Sequence, residues 1–387
     1  MFLLEKEGKR SRERMLAALR LEEPRDRVPV LPWVVPRIFQ DVYKISWSRE
    51  IYHVMMLRMG FDPYIGVGLG GPTVAKDVTV KKRIVAIEER GLVIERTFET
   101  PLGEIKESYF HSIAPEQSVA GEHLDINIGS YKEYLVKSKE DVERVRAIIP
   151  DPWERNTTDI REGLKTFKDI AVVVGGVSGP FNRAVRMRGY MQVVRDIYGG
   201  GDPSILKGLI DIFLKEGLKI IQIYGELGVD VLHIMSNFSS MSLISPRIFK
   251  EYIYPYESQF CKEAHKYDMI VRYHMDGRCS AALELLADMG VDQIETLDPP
   301  TIGGDITLSE AKKRVGNRMC LYGNIDPINV IKIRSPQEIM AEAKKCIDDA
   351  APGGGFILGS ADTIAPGTPP ENLEALAKAA RLYGRYR

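Results

Sequence analysis

From residue 170 onward the chain alternates short apolar runs with longer amphipathic stretches. The apolar runs are Ile170–Val174, Val229–Ile234, Met269–Tyr273, Gln293–Thr296, Cys320–Gly323 and Phe356–Leu358. Between and after them, hydrophobic residues recur at helical spacing in Tyr190–Tyr198, Pro203–Leu227, Pro246–Tyr267, Cys279–Met289, Leu308–Val315, Pro336–Ala350 and Pro370–Tyr383. Short apolar runs predict buried strands, and a helix after each one predicts parallel β/α units. A proline-bounded run, Arg27–Trp33, adds a strand near the start, and the count approaches eight. The pattern predicts an α/β protein, a (β/α)8 TIM barrel spanning 1–387 as a single domain. No glycine-rich fingerprint follows the first strand, which disfavours an open dinucleotide-binding sheet.

The first part of the chain departs from this period. Ser11–Leu21 reads as a helix with Ser11 as N-cap, and Ile51–Met59 as another that stops at Gly60. From Val78 to Tyr109 charged and β-branched residues alternate around a turn at Thr100-Pro-Leu-Gly103, predicting an antiparallel β-hairpin insertion over 78–110. Ser138-Lys-Glu-Asp141 has the form of a capping box opening a helix.

Composition narrows the function classes. The 53 basic residues nearly cancel the 54 acidic ones, and clusters such as Lys81-Lys82-Arg83 are short, so no nucleic-acid surface is expected. The four cysteines, Cys261, Cys279, Cys320 and Cys346, form no CxxC or CxH pair, which fits reduced cytosol rather than a disulfide framework or a cysteine-rich zinc site. Charged Glu5–Arg14 does not read as a signal peptide, and no window reaches the ~18 apolar residues of a spanning helix, so a cytoplasmic, membrane-free protein is expected.

In a barrel, polar groups just after the strands line the active site. His274-Met-Asp276-Gly277-Arg278 follows Tyr273, and such a cluster is costly to bury unless paired. His274 is the leading catalytic candidate, as metal ligand or acid/base, with Asp276 beside it. Asp276-Gly277 equally suits an N-cap and tight turn. Ser236, Asn237, Ser239 and Ser240 follow Ile234; Asp298, Asn324, Asp326, Ser360 and Asp362 follow later strands. His233 lies within an apolar strand, where a core histidine is as good a reading; with Glu226 and His274 it forms a conceivable metal set. Trp33, Asn237, Tyr273 and Ser360 are the candidate substrate-binding residues. Gly353-Gly-Gly355 precedes a strand and reads as a flexible turn, since phosphate loops follow one.

Arg12-Glu-Arg-Met-Leu-Ala-Ala-Leu19, Asp26-Arg-Val-Pro29, Gly179-Pro-Phe181, Ile244-Ser-Pro246, Gly323-Asn-Ile-Asp-Pro327, Gly354-Gly-Phe-Ile-Leu-Gly-Ser360 and Pro369-Pro-Glu-Asn-Leu373 together resemble the uroporphyrinogen decarboxylase superfamily, in order along nearly the whole chain. That superfamily holds porphyrinogen decarboxylases and corrinoid-dependent methyltransferases. Its decarboxylases carry an arginine-rich segment after the first strand; here Trp33-Val-Val-Pro-Arg37 retains one arginine, too few for a substrate with eight carboxylates. The Thr100–Gly103 hairpin and Tyr134–Asp141 resemble the methyltransferase branch. Its thiol-methylating members bind zinc through an HxC pair and a later cysteine, where this chain has His274-Met-Asp276 and Ser360. The HxDG form resembles the O-demethylase methyltransferases.

The resemblance therefore implies methyl transfer from a methoxylated aromatic or similar small donor to the cob(I)alamin of a separate corrinoid protein. Zn2+ on harder ligands and a homodimer are compatible with it. Asp230-Val-Leu-His233 has the wrong spacing for a DxHxxG cobalamin ligand, so the corrinoid would come on the partner. A carboxy-lyase for a smaller acid, a methylcobamide:thiol methyltransferase and a non-catalytic subunit remain alternatives.

Overall fold

The computed structural model describes residues 2–35, 48–112 and 131–386. Its strands are β1 (Tyr64–Val67), β2 (Thr79–Glu88), β3 (Gly91–Thr100), β4 (Gly103–Ser112), β5 (Tyr131–Glu133), β6 (Val172–Ser178), β7 (Val231–Met235), β8 (Ile270–His274), β9 (Gln293–Glu295), β10 (Cys320–Ile325) and β11 (Phe356–Ser360). The chain forms two compact units. One comprises 1–68, 158–177 and 221–387, the other 69–157 and 178–220.

The first unit carries a curled parallel sheet of seven strands in the order β1-β6-β7-β8-β9-β10-β11. An eighth segment closes it. Val30 bridges Leu358 of β11 in parallel, and its carbonyl accepts from Asp62 N at 2.7 Å just ahead of β1. Pro29 and Pro32 lack N–H donors, which limits this segment to a bridge where the sequence reads a strand. Asp62, fully buried, also accepts from Val30 N at 2.8 Å and pairs with Arg14 and Arg27, tying the closure to the N-terminal helix.

Sequence pattern alone misses β1, because Pro63, Gly66 and Gly68 interrupt its apolar signal. The N-terminal helix is Phe2–Leu19, so Ser11 lies buried in its interior rather than capping it. The stretch read as one helix, Pro246–Tyr267, is two, Pro246–Tyr252 and Tyr254–His265, broken at Ile253 before Pro255. The β/α alternation from 170 onward otherwise follows the expected order, and strands buried on both faces explain its near-continuous Val, Ile and Leu runs.

The second unit carries an antiparallel sheet ordered β2-β3-β4-β5. The expected hairpin is its β3–β4 part, where Thr100 opposes Gly103 and Thr100 Oγ1 donates to Gly103 O at 2.7 Å. The predicted capping box is formed by Ser138 and Asp141 at the head of Lys139–Ile148. Among the described residues no helix is long and apolar enough to cross a membrane.

Candidate active site in the barrel mouth

Side chains on a strand alternate sides, so residues two apart share the lumen. On β8 this places Arg272 and His274 together; β9 contributes Gln293 and Glu295, with His274 opposite Glu295 and Arg272 opposite Gln293 in register. His233 of β7 lies opposite Arg272. The consequence is a polar cluster inside an apolar barrel: ligand atoms of His233, His274 and Glu295 all lie within 4.8 Å of one another.

His233 Nε2 is 3.3 Å from Glu295 Oε2, and Glu295 forms an ion pair with Arg272. His274 Nε2 donates to Asp276 Oδ1 at 3.1 Å, while Asn237 Nδ2 donates to Asp276 Oδ2 at 2.8 Å. Edge-on rings flank His274: Trp33 at 5.3 Å and His233 at 5.9 Å between centroids. Gly277, at φ +71°, lets the chain turn after Asp276, and its N–H donates to Asp298 Oδ2 at 2.6 Å.

The electrostatics of the cluster follow from burial and these partners. Burial pushes His233 down to about 4, with the Arg272 charge adding to it against the pull of Glu295, so its ring is neutral near pH 7. Burial works against charge on Glu295, but Arg272 and His233 outweigh it and hold the carboxyl well below the usual range. His274 is raised: burial opposes protonation and the Asp276 carboxylate outweighs it. Asp298 is pushed up to about 6 by burial, against the hydrogen bond from Gly277, with the charges of Asp276 and Asp362 adding to the rise.

The donors suit a divalent cation. His274 Nδ1 is buried with no hydrogen-bond partner among the described residues, while His233 Nε2 and Glu295 Oε2 face each other at 3.3 Å and Glu295 Oε1 meets the Arg272 guanidinium. Two imidazoles and a carboxylate form an established zinc donor set, and a carboxylate hydrogen-bonded to the far nitrogen of a ligating histidine is the usual outer support. Asp276 stands in that outer position. No thiol joins the cluster; the four cysteines are buried elsewhere in the chain.

Beside the cluster lies a cavity of about 200 Å³ lined by Leu31, Pro32, Trp33, Tyr52, Tyr64 and Tyr322, among others, with His233 and Arg272 in its wall. A wider hollow of about 630 Å³ on the same unit, bordered by Arg58, Gln337 and Glu371, contains none of these groups.

Of the residues singled out from sequence, the structure brings together His274, Asp276, His233, Asn237 and Trp33. It does not bring in Glu226, which is exposed at the end of Pro203–Leu227 and precedes β7, at the strand end opposite the mouth. Glu295 stands where Glu226 was expected. Tyr273 points to the other side of β8: its hydroxyl donates to Glu257 at 2.6 Å and lies 3.1 Å from Ser239 Oγ, both buried. Ser360 is buried and accepts from Trp33 N at 2.9 Å, so it places the tryptophan rather than lining the cavity. Arg37 lies outside the described residues. Glu295 and Arg272 were missed, although polar residues alternating with apolar ones in Arg272-Tyr-His274 and Gln293-Ile-Glu295 mark a polar lumen.

Comparison with known proteins gives this geometry a context. The sequence model of the uroporphyrinogen decarboxylase (URO-D) family matches residues 110–383. A methylcobamide:CoM methyltransferase, MtaA, from Methanosarcina barkeri is 28% identical over 246 residues, covering 61% of this chain and 68% of that protein. A uroporphyrinogen decarboxylase from Geobacter sulfurreducens is 24% identical over 277 residues, covering 68% and 76%. Among solved structures, a methyltransferase from Methanosarcina mazei superimposes with a TM-score of 0.62 at 19% identity, over 96% of this chain and 98% of that one, a likeness of fold.

Proposed function

This chain belongs to the uroporphyrinogen decarboxylase (URO-D) family, and on that premise we propose that it is a corrinoid-dependent methyltransferase, moving a methyl group from a methoxylated aromatic or similar small donor to the cob(I)alamin of a separate corrinoid protein. The observation that carries this reading is the His233–His274–Glu295 cluster, thiol-free and backed by Asp276, beside an aromatic-walled cavity at the barrel mouth.

An aryl ether is a poor leaving group unless its oxygen is stabilised as the carbon–oxygen bond breaks. The corrinoid partner supplies the nucleophile, whose electron pair takes the methyl carbon while the bonding pair stays on the oxygen. A zinc ion held by His233, His274 and Glu295 would supply Lewis acidity at that oxygen. The protein's own groups prepare the site. Asp276 holds the Nε2 proton of His274, which fixes the tautomer and leaves Nδ1 facing the cluster. Asn237 steadies Asp276, and Arg272 keeps Glu295 ionised. Trp33, positioned through Ser360, packs on His274. The released aryloxide takes a proton from solvent.

The M. barkeri relative acts, by its name, on a thiol, coenzyme M. The absence of a thiolate from the donor set weighs against that direction here, since a soft ligand set is what tunes zinc for thiol activation. The test is to add methoxylated aromatics to the protein with free or protein-bound cob(I)alamin and follow conversion to methylcobalamin by absorbance, with metal content measured on wild type and His274→Ala. Methylcobalamin formation that follows a stoichiometric metal lost in the variant is expected. No conversion with any methyl donor, or CO2 release from a carboxylic acid instead, would refute the assignment.

A further inference from the structure

In the second unit, β2 is the outermost strand of its sheet. β3 flanks one side, and among the described residues no strand or backbone hydrogen bond reaches the other. All ten of its residues are exposed. An open edge presents unpaired N–H and C=O groups to any extended chain, and charges along the strand are one way proteins close it. On β2 the charges stand at the ends and none in the middle: Lys81-Lys82-Arg83, then Ile84-Val85-Ala86-Ile87, then Glu88-Glu89. Ile84, Val85 and Ile87 are 59%, 46% and 81% exposed.

The bulge at Val85 decides which side chains share a face. Arg83, Ala86 and Glu88 oppose Glu95, Val93 and Gly91, alternate residues of β3, so they lie on one face; Lys82, Ile84 and Ile87 oppose Arg96, Ile94 and Leu92 and lie on the other. A second β2 placed antiparallel, about a two-fold axis between Val85 and Ala86, then matches on both faces. Ile84 meets Ile87 on one, Arg83 meets Glu88 on the other, and Lys82 comes against Glu89 at the turn, each contact occurring twice.

Parallel pairing in register would set like charges against each other. A foreign strand would need the same order of basic, apolar and acidic residues, and β2 itself is such a strand. Lys82 and Glu89 have no ion-pair partner among the described residues. Arg83 and Glu88 pair with Glu95 and Lys132 but stay exposed, in contacts of the weak surface kind.

We propose that the β2 edge is a self-association surface on which two copies of this chain join antiparallel, making one continuous sheet of their two four-stranded sheets. A contact centred on one pair of strands is small, so the dimer forms in a concentration-dependent equilibrium. Nothing in this inference depends on methyl transfer.

The test is sedimentation velocity of the full-length protein over about 1–200 μM, the range that weak interfaces occupy. Wild type is expected to pass from monomer to dimer within it. Ile87→Lys removes the apolar pair, Lys82→Glu with Arg83→Glu sets like charges against Glu88 and Glu89, and Glu88→Lys with Glu89→Lys does so from the other end. Each should raise the dimer Kd at least about tenfold, because the two-fold axis counts every change twice. An equimolar mixture of the two charge-reversed proteins should dimerise again as a heterodimer. All the substituted positions are exposed, so the fold should persist; if a charge-reversed variant misfolds, Ile87→Lys decides. A wild type that stays monomeric throughout, a dimer whose Kd none of these changes moves, or folded charge-reversed proteins that do not recover on mixing overturns the proposal.

Discussion

Replacing Glu295 by glutamine removes one charge from a place where no solvent can substitute for it. Glu295 is fully buried, Arg272 is 7% exposed, and the two form an ion pair in the barrel lumen. Glutamine preserves shape and keeps an oxygen that can accept from the guanidinium, but it removes the negative charge that offsets the buried cation. Removing one member of a buried pair costs about 3–5 kcal/mol, because the survivor keeps its desolvation penalty, and a neutral hydrogen bond to the amide oxygen returns about 1 kcal/mol of that. The expected loss is about 3 kcal/mol, read as a drop in urea midpoint at unchanged slope on chelator-treated protein, so that a bound ion does not contribute. Adding Arg272→Met removes the orphaned charge and should recover about half of the loss, a coupling of more than about 1 kcal/mol between two touching residues. Glu295→Gln within about 0.5 kcal/mol of wild type, or a double variant no more stable than the single one, would show that the pair is not the electrostatic centre of the lumen.

Two further buried groups give pH dependences of opposite sign. His53, buried against the Phe167 ring at 5.5 Å with neither nitrogen hydrogen-bonded among the described residues, is pushed down by burial to about 4. Its folded value lies below its unfolded value, so its contribution is full above roughly pH 6.5 and is lost as pH falls toward 4, by up to about 3 kcal/mol. His53→Leu should therefore flatten the fall in urea midpoint between pH 6.5 and 4.5, and parallel curves for variant and wild type would contradict this. Glu257 is pushed up to about 7 by burial, against hydrogen bonds from Tyr273 and Ser236. With the folded value raised, its contribution is full below roughly pH 4.3 and is lost as pH rises through 7. Glu257→Gln should gain stability relative to wild type by up to about 3 kcal/mol between pH 5 and 8; a constant difference across that range would rule the buried carboxyl out as its source.

What the sequence determined by itself was the repeated unit and one end of the site. Hydrophobic period is a local property, so from residue 170 onward each strand and covering helix was legible, and His274, Asp276 and Asn237 followed because residues after barrel strands face the mouth, whereas His233, inside its strand, read equally well as a core histidine. Only tertiary structure decided how the ring closes and which carboxylate meets the histidines. β1 is short and glycine-containing, and the Val30 segment is proline-bound, so neither has a strong period; their places are set by Asp62 bridging them with Arg14 and Arg27, contacts 32 to 48 residues apart in the chain. The sequence suggests Glu226, close to His233 in the chain, as the carboxylate of the set, and the structure supplies Glu295 instead. Strand direction separates them: Glu226 stands before β7, and parallel register sets Glu295 opposite His274, where the charge of Arg272 on the neighbouring strand makes burying a carboxylate tolerable.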